Sequence, residues 1–226
     1  YLSRRVGTTM SRALQYDALT WVPFLFLWFT FVLPAQVTHG SRIFAAALGL
    51  FCVLKVLIAA RFNQTVREVL LDFVVTRIAI IVIAELAAVI IGERIGPHVS
   101  ESSHTLLAVW GHWDAVHYLN IATNGYSGTE MAFFPLYPAL IRGLGALAGN
   151  HLIAGLLISN ASFFFALLFL YKLLEHEYDR KTARHAIFYV SIFSTAVFFS
   201  AVYTEALFLM LTVASFYYMR RHNWWL

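Results

Sequence analysis

Charge is scarce in this chain: 12% of its 226 residues are Asp, Glu, Lys or Arg, against about 25% in a typical soluble domain. So thin a charged complement excludes an ordinary soluble core. With 60% hydrophobic residues and a mean hydropathy of +0.71, it implies an integral helical membrane protein. Cysteine is nearly absent. Cys52 stands alone inside an apolar run, which rules out an intrachain disulfide framework or a thiolate metal cluster and leaves it as a small buried apolar side chain. There is no glycine-rich phosphate loop, no nucleophile elbow and no D-x-D pair, so nucleotide cradling, acyl transfer and metal-held nucleotide sugars find no support. His98, His104, His112 and His117 share one loop, but their spacing matches no zinc pattern; neither a metal nor a cofactor is expected. The formal charge of +4 reflects loop charges that orient the protein, and no nucleic-acid partner is expected.

What the chain does have is apolar runs. Five are long enough to cross roughly 30 Å of hydrocarbon at about 1.5 Å per residue: Leu19–Val37, Ile43–Ala60, Phe73–Ile91, Leu152–Tyr171 and His185–Met219. The last is too long for one span and is interrupted by Tyr203-Thr204-Glu205. It divides into spans His185–Ala201 and Glu205–Met219, making six helices. Basic residues are distributed unevenly between the loops. With the N-terminus cytoplasmic, Arg4, Arg5, Arg12, Arg61, Arg67, Lys172, Arg180, Lys181, Arg184, Arg220 and Arg221 lie inside, against Arg42, Arg94 and Arg142 outside. This asymmetry orients the protein and puts the loop at about 92–151 outside, in a lumen or periplasm. The expected fold is an all-α polytopic transmembrane bundle. Residues 1–67 form an N-terminal extension with two spans; residues 68–226 form the main membrane domain, whose large outer loop folds into short interfacial helices. Tyr1 in place of an initiating Met, and an end at Trp224-Trp225-Leu226, are expected of a piece cut at both ends.

The chemistry concentrates in that loop. In WGHWDAVHYLNIATNGY, Trp110, Trp113, His117 and Tyr118 surround a single carboxylate, Asp114. In a helix, Asp114 shares a face with His117 three residues on and Tyr118 four residues on. A carboxylate among aromatics at a membrane surface suits proton abstraction from a hydroxyl; the alternative is an Asp that caps a short helix or pairs with a loop cation. Asn124-Gly125 stops the helix. In AFFPLYP, two prolines three apart should prevent a regular helix and present aromatics as an interfacial anchor or a groove wall. Arg77 and Glu85, inside the third span, are open to structural pairing or substrate contact. Tyr203 and Glu205 come to the same side of the membrane as Asp114, with Glu205 either a site residue or a favourable charge at a helix start.

The sequence WGHWDAVHYLNIATNGY, then AFFPLYP, then a span carrying Asn160, then AVYTEALF resembles the PIG-V family of mannosyltransferases, over roughly Asp72 to Leu226. The family belongs to the GT-C glycosyltransferases, multi-span enzymes whose donor is a polyprenyl-phosphate sugar such as dolichyl phosphate mannose. The resemblance implies transfer of a hexose, most simply mannose, to a glycolipid or glycan acceptor with inversion. The role of base falls to Asp114, because GT-C enzymes commonly use an acidic residue of the first large outer loop. His112, His117, Arg142 and Arg77 are then the groups available to a phosphate leaving group, and Trp110, Trp113 and Tyr118 the platforms for sugar rings. A eukaryotic member acts in GPI anchor biosynthesis at the ER membrane; a prokaryotic one acts at the plasma membrane. Two rival readings, a transporter or lipid flippase and a non-catalytic subunit of a membrane complex, draw on Arg77 and Glu85 and on the lipid bilayer setting alone.

Overall fold

The computed structural model describes residues 63–91 and 108–221. The spans expected at Leu19–Val37 and Ile43–Ala60, and the first part of the outer loop with Arg94, His98 and His104, lie outside the described residues. Among the described residues the secondary structure is entirely helical, as the composition required. The α-helices are α1 (Gln64–Ile91), α2 (Asp114–Asn124), α3 (Leu136–Ala148), α4 (His151–Glu177), α5 (Arg180–Ile192) and α6 (Glu205–Arg220), with short 3-10 turns at Ala108–Gly111 and Gly128–Ala132.

Local signals explain most helix ends. α1 runs 28 residues with no Gly or Pro inside it. α3 closes on Gly149 in the left-handed region (φ 70°), and Asn150 immediately caps α4 by accepting from the Ile153 amide at 2.9 Å. Asp179 caps α5 in the same way, through the Thr182 amide at 2.7 Å. α4 is the central element and packs against α6, α3, α5 and α1. It is also the one helix among the described residues that is long and apolar enough to cross a membrane; its 27 residues reach about 40 Å.

Two ends of the bundle differ in chemistry. At one end Glu68 of α1 meets Arg180 of α5 at 3.1 Å and accepts from the Tyr171 hydroxyl of α4 at 2.7 Å, while Arg220 of α6 lies 3.5 Å from Glu177. These pairs are partly solvated and contribute little each, but they gather basic residues assigned above to a single side. At the other end an apolar and aromatic core joins Trp110, Tyr118, Leu119, Tyr137, Ile141, Val202 and Tyr203.

Two expectations are corrected. The span expected over His185–Ala201 is helical only to Ile192, and residues 193–204 form successive turns. Within this segment the N–H groups bond mostly three residues back, as Ala196 N does to Phe193 O, and side chains reach several acceptors at and beyond the helix end. The buried Arg77 guanidinium donates to Ser191 O at 2.6 Å, Ala196 O at 2.8 Å and Ser200 Oγ at 3.1 Å, with its carbon 4.5 Å from the centre of the Phe163 ring. Asn160 Nδ2 donates to Ser200 O at 3.2 Å, and Ser200 Oγ donates back to Asn160 Oδ1 at 3.1 Å. Gly155 lets the segment approach α4: a Cβ there would stand 2.7 Å from a Val202 methyl. The second correction concerns AFFPLYP: Phe133–Pro135 are irregular, with Phe133 extended, as the prolines suggest, but a regular helix begins inside the motif at Leu136. Pro135 precedes α3 and Pro138 falls in its first turn, where a missing N–H costs nothing; Tyr137 and Pro138 are consequently buried.

Arg77→Met should remove the guanidinium bonds to Ser191 O, Ala196 O and Ser200 Oγ and cost about 2–3 kcal/mol. Thermal unfolding of the purified protein should show a clear drop in midpoint, with exposed Arg142→Ala as a control near wild type; equal midpoints for Arg77→Met and wild type would refute this role for Arg77.

Candidate active site

The site is built around the start of α2. The turn that delivers it is bonded on several sides. Val202 N donates to Trp110 O at 3.2 Å, the Tyr203 hydroxyl donates to His112 O at 3.2 Å, and the Tyr118 and Thr204 hydroxyls lie 3.2 Å apart. These three contacts stitch the loop motif to Val202-Tyr203-Thr204 and bring the first residue of α2, Asp114, near the first residue of α6, Glu205. Both carboxylates act on the tyrosines between them. Burial first, and then the negative charge of Asp114, push the Tyr203 phenol up to about 12. Burial also raises Tyr118, with Glu205 and Asp114 adding to it. Both phenols therefore remain hydrogen-bond donors at neutral pH. Each acid sits in the first turn of its helix, where the backbone dipole favours negative charge.

The AFFPLYP segment supports the other flank of α2. Phe133 stacks on His117 with centroids 4.9 Å apart and meets Tyr118 edge-on at 5.1 Å; Tyr118 in turn meets Tyr137 edge-on at 5.2 Å. The Tyr137 hydroxyl lies 2.6 Å from Ser159 Oγ, which donates to Tyr203 O at 3.3 Å. Loop, proline segment, α4 and the start of α6 thus form one connected unit.

The candidate residues fall into groups. Asp114 and Trp113 are exposed, and His117 is half-buried. His112 is buried, with its ring 6.0 Å from that of Trp113. Trp110 and Tyr118 are 4% and 7% exposed, so they brace the site from below. Arg142 is exposed on α3. Arg77 is 4% exposed, and its two terminal guanidinium nitrogens donate to Ser191 O, Ala196 O and Ser200 Oγ. Among the described residues no group of three or more His, Cys, Asp or Glu is placed to hold a metal.

The four stretches that make up this unit are those on which the family resemblance rests. The family described as Mannosyltransferase (PIG-V) matches residues 53–225, beginning upstream of the quoted motifs. The chain belongs to the PIG-V mannosyltransferase family. This PIG-V chain is 29% identical over 109 residues to GPI mannosyltransferase 2 of Schizosaccharomyces pombe, a stretch covering 46% of the chain and 24% of that protein. It is 33% identical over 137 residues to GPI alpha-1,6-mannosyltransferase 2 of Homo sapiens, covering 53% of the chain and 27% of that protein. The chain therefore spans about a quarter of the length of the curated relatives it matches. No solved structure matches it.

One residue of the site was overlooked in the sequence. Glu130 is buried, accepts from Asn120 Nδ2 of α2, and accepts from the Ser127 amide at 3.2 Å and hydroxyl at 3.0 Å. The signal was present: Ser127 and Glu130 form a capping box. The Asn120 bond, with those from Ser127, holds the Glu130 carboxyl below its ordinary value of 4.5. A lowered carboxylate contributes stability that is full above the unfolded value and fades as pH falls through the folded one. Glu130→Gln should therefore lower the unfolding midpoint at pH 7, and its gap to wild type should close as pH drops below 4.5. A gap that stays constant from pH 7 to pH 3.5 would rule out the carboxylate as its source.

Proposed function

We propose that this chain is part of a multi-pass membrane mannosyltransferase that moves mannose from a polyprenyl-phosphate mannose, such as dolichyl phosphate mannose, to a glycolipid or glycan acceptor, with Asp114 as base. The observation that carries the reading is the exposure of Asp114 at the centre of the unit in which the family's motifs meet. In the proposed step an acceptor hydroxyl oxygen bonds to the anomeric carbon, the bond from that carbon to the phosphate oxygen breaks, and the configuration inverts. The hydroxyl proton passes to Asp114, and the electron pair of the broken bond leaves with the polyprenyl phosphate. No further reactant is required.

Polar groups near the site match the charges that develop. His117 sits one turn along α2 and supplies a hydrogen-bond donor for the departing phosphate, and the exposed Arg142 of α3 supplies positive charge. Glu205 holds acceptor hydroxyls opposite Asp114. The membrane setting follows from α4, from the apolar composition and from the family, and the bias of basic residues supports a site on the outer or lumenal face. The names of the relatives support an acceptor that is a GPI precursor, and hence an ER membrane, if the source is eukaryotic; a prokaryotic source implies an envelope glycolipid or glycan at the plasma membrane. The transporter reading loses weight because the buried cation that motivated it is spent on backbone carbonyls.

The test is sugar transfer from radiolabelled polyprenyl-phosphate mannose in membranes that express the full-length protein. Asp114→Asn, folded as judged by its unfolding midpoint, should lose at least about 100-fold in rate, the usual contribution of a general base. Equal rates for the variant and wild type would move the role of base to Glu205. Absence of transfer by wild type with donors of several sugars would favour a transporter or an assembly subunit.

A further inference from the structure

Trp113 breaks two local rules at once. Its backbone lies at φ 53° and ψ −120°, the only non-glycine residue with positive φ among those described. That half of conformational space suits glycine and is a marked outlier for a bulky side chain. Trp113 also occupies the position just before α2 and forms no side-chain cap bond, where Asn, Asp, Ser, Thr or Gly would be favoured. The strain is maintained from both sides. Trp110 O is bound by Val202 N and His112 O by both Ala115 N and the Tyr203 hydroxyl, while Trp113 O accepts from Val116 N at 3.0 Å. The outcome is an indole 54% exposed, next in sequence to the exposed Asp114. Strain of this kind persists where surrounding structure over-determines it, and it clusters at functional sites.

We infer that Trp113 is the platform for the hexose ring of the donor, an assignment that rests on the mannosyl-transfer reading above. A pyranose presents a patch of C–H groups on one face, and these are attracted to the negative face of an aromatic ring. Indole is the largest such face, and of the three aromatic residues considered for stacking only Trp113 has one open. The platform serves the sugar, not the lipid, since anchoring at a membrane interface requires neither a strained backbone nor a place beside the base.

The experiment compares the full-length wild-type protein with Trp113→Phe, Trp113→Asn and Trp113→Ala. It measures the shift in unfolding midpoint caused by dolichyl phosphate and by dolichyl phosphate mannose, alongside KM for the latter in the transfer assay. Wild type should gain more from the mannose-bearing lipid. Asn and Ala should abolish that increment and raise KM about tenfold, while Phe retains part of it. Without ligand, Trp113→Asn should unfold no lower than wild type, because positive φ is a greater outlier for a bulky aromatic than for Asn. An unchanged increment in Trp113→Asn with transfer intact overturns the platform alone. Loss of the shifts from both lipids overturns it in favour of a lipid anchor, and a lowered midpoint for the free Asn variant overturns it in favour of a packing role. Absence of transfer by wild type removes the platform together with the reading beneath it.

Discussion

The donation from Arg77 to the backbone of residues 191–200 is the interaction on which the rest of the site depends. Carbonyls released by a broken helix are costly in an apolar interior unless something donates to them. A guanidinium suits this purpose because its planar array of donors reaches several acceptors from one buried point. Here it reaches Ser191 O, Ala196 O and Ser200 Oγ, and Asn160 supplies Ser200 O. With these groups satisfied, the segment can run in successive tight turns to Val202, Tyr203 and Thr204, the residues that bind the loop before α2. Arg77 thus acts on the site from a distance, through one irregular stretch of chain.

That arrangement also explains how two acids come to lie near each other. Asp114 and Glu205 each begin a helix, and each is favoured there by the helix dipole. Their proximity sets like charge against like charge. The cost is limited because Asp114 remains in contact with solvent and because Tyr118 and Tyr203, kept protonated by burial and by those charges, lie between them. The aromatic residues beneath α2 serve rigidity more than recognition: Phe133, Tyr118 and Tyr137 meet ring to ring and leave little freedom to the helix that carries the proposed base.

What could be read in the sequence was whatever depends on local rules. The stop of α2 at Asn124-Gly125 was legible from residue type, and α4 from the length of its apolar run. The grouping of Tyr203 and Glu205 with Asp114 was legible from the alternation of loops. The end of α5 was not, because the bonds that stop the helix at Ile192 come from Arg77 and Asn160, the former more than a hundred positions away, and no period or propensity encodes them. Ser191, Ser194, Thr195 and Ser200 within the apolar run were the visible hint, since such residues bond locally to backbone and weaken helices. AFFPLYP misled for the opposite reason: proline looks like a breaker, but its place in the first turn makes it compatible with a helix. Burial of Trp110 and Tyr118, as against exposure of Trp113, was also beyond reach, since it depends on which way the turn is pinned.

Departures from local preference are not scattered through the molecule. α3, α4 and α5 begin or end on Gly149, Asn150 and Asp179, residues that suit those positions, and they carry the bundle. A helix broken at Ile192, a tryptophan at positive φ, and the uncapped starts of α2, α3 and α6 all lie in the segments that meet around Asp114. A sequence selected for stability alone would have placed Gly or Asn at position 113 and continued α5 for another two turns. That both losses are retained within one hydrogen-bonded unit, while the helix ends at Gly149, Asn150 and Asp179 follow the rules, argues that the unit is maintained for what it binds, because local consistency is sacrificed where function requires a geometry that local preference does not supply.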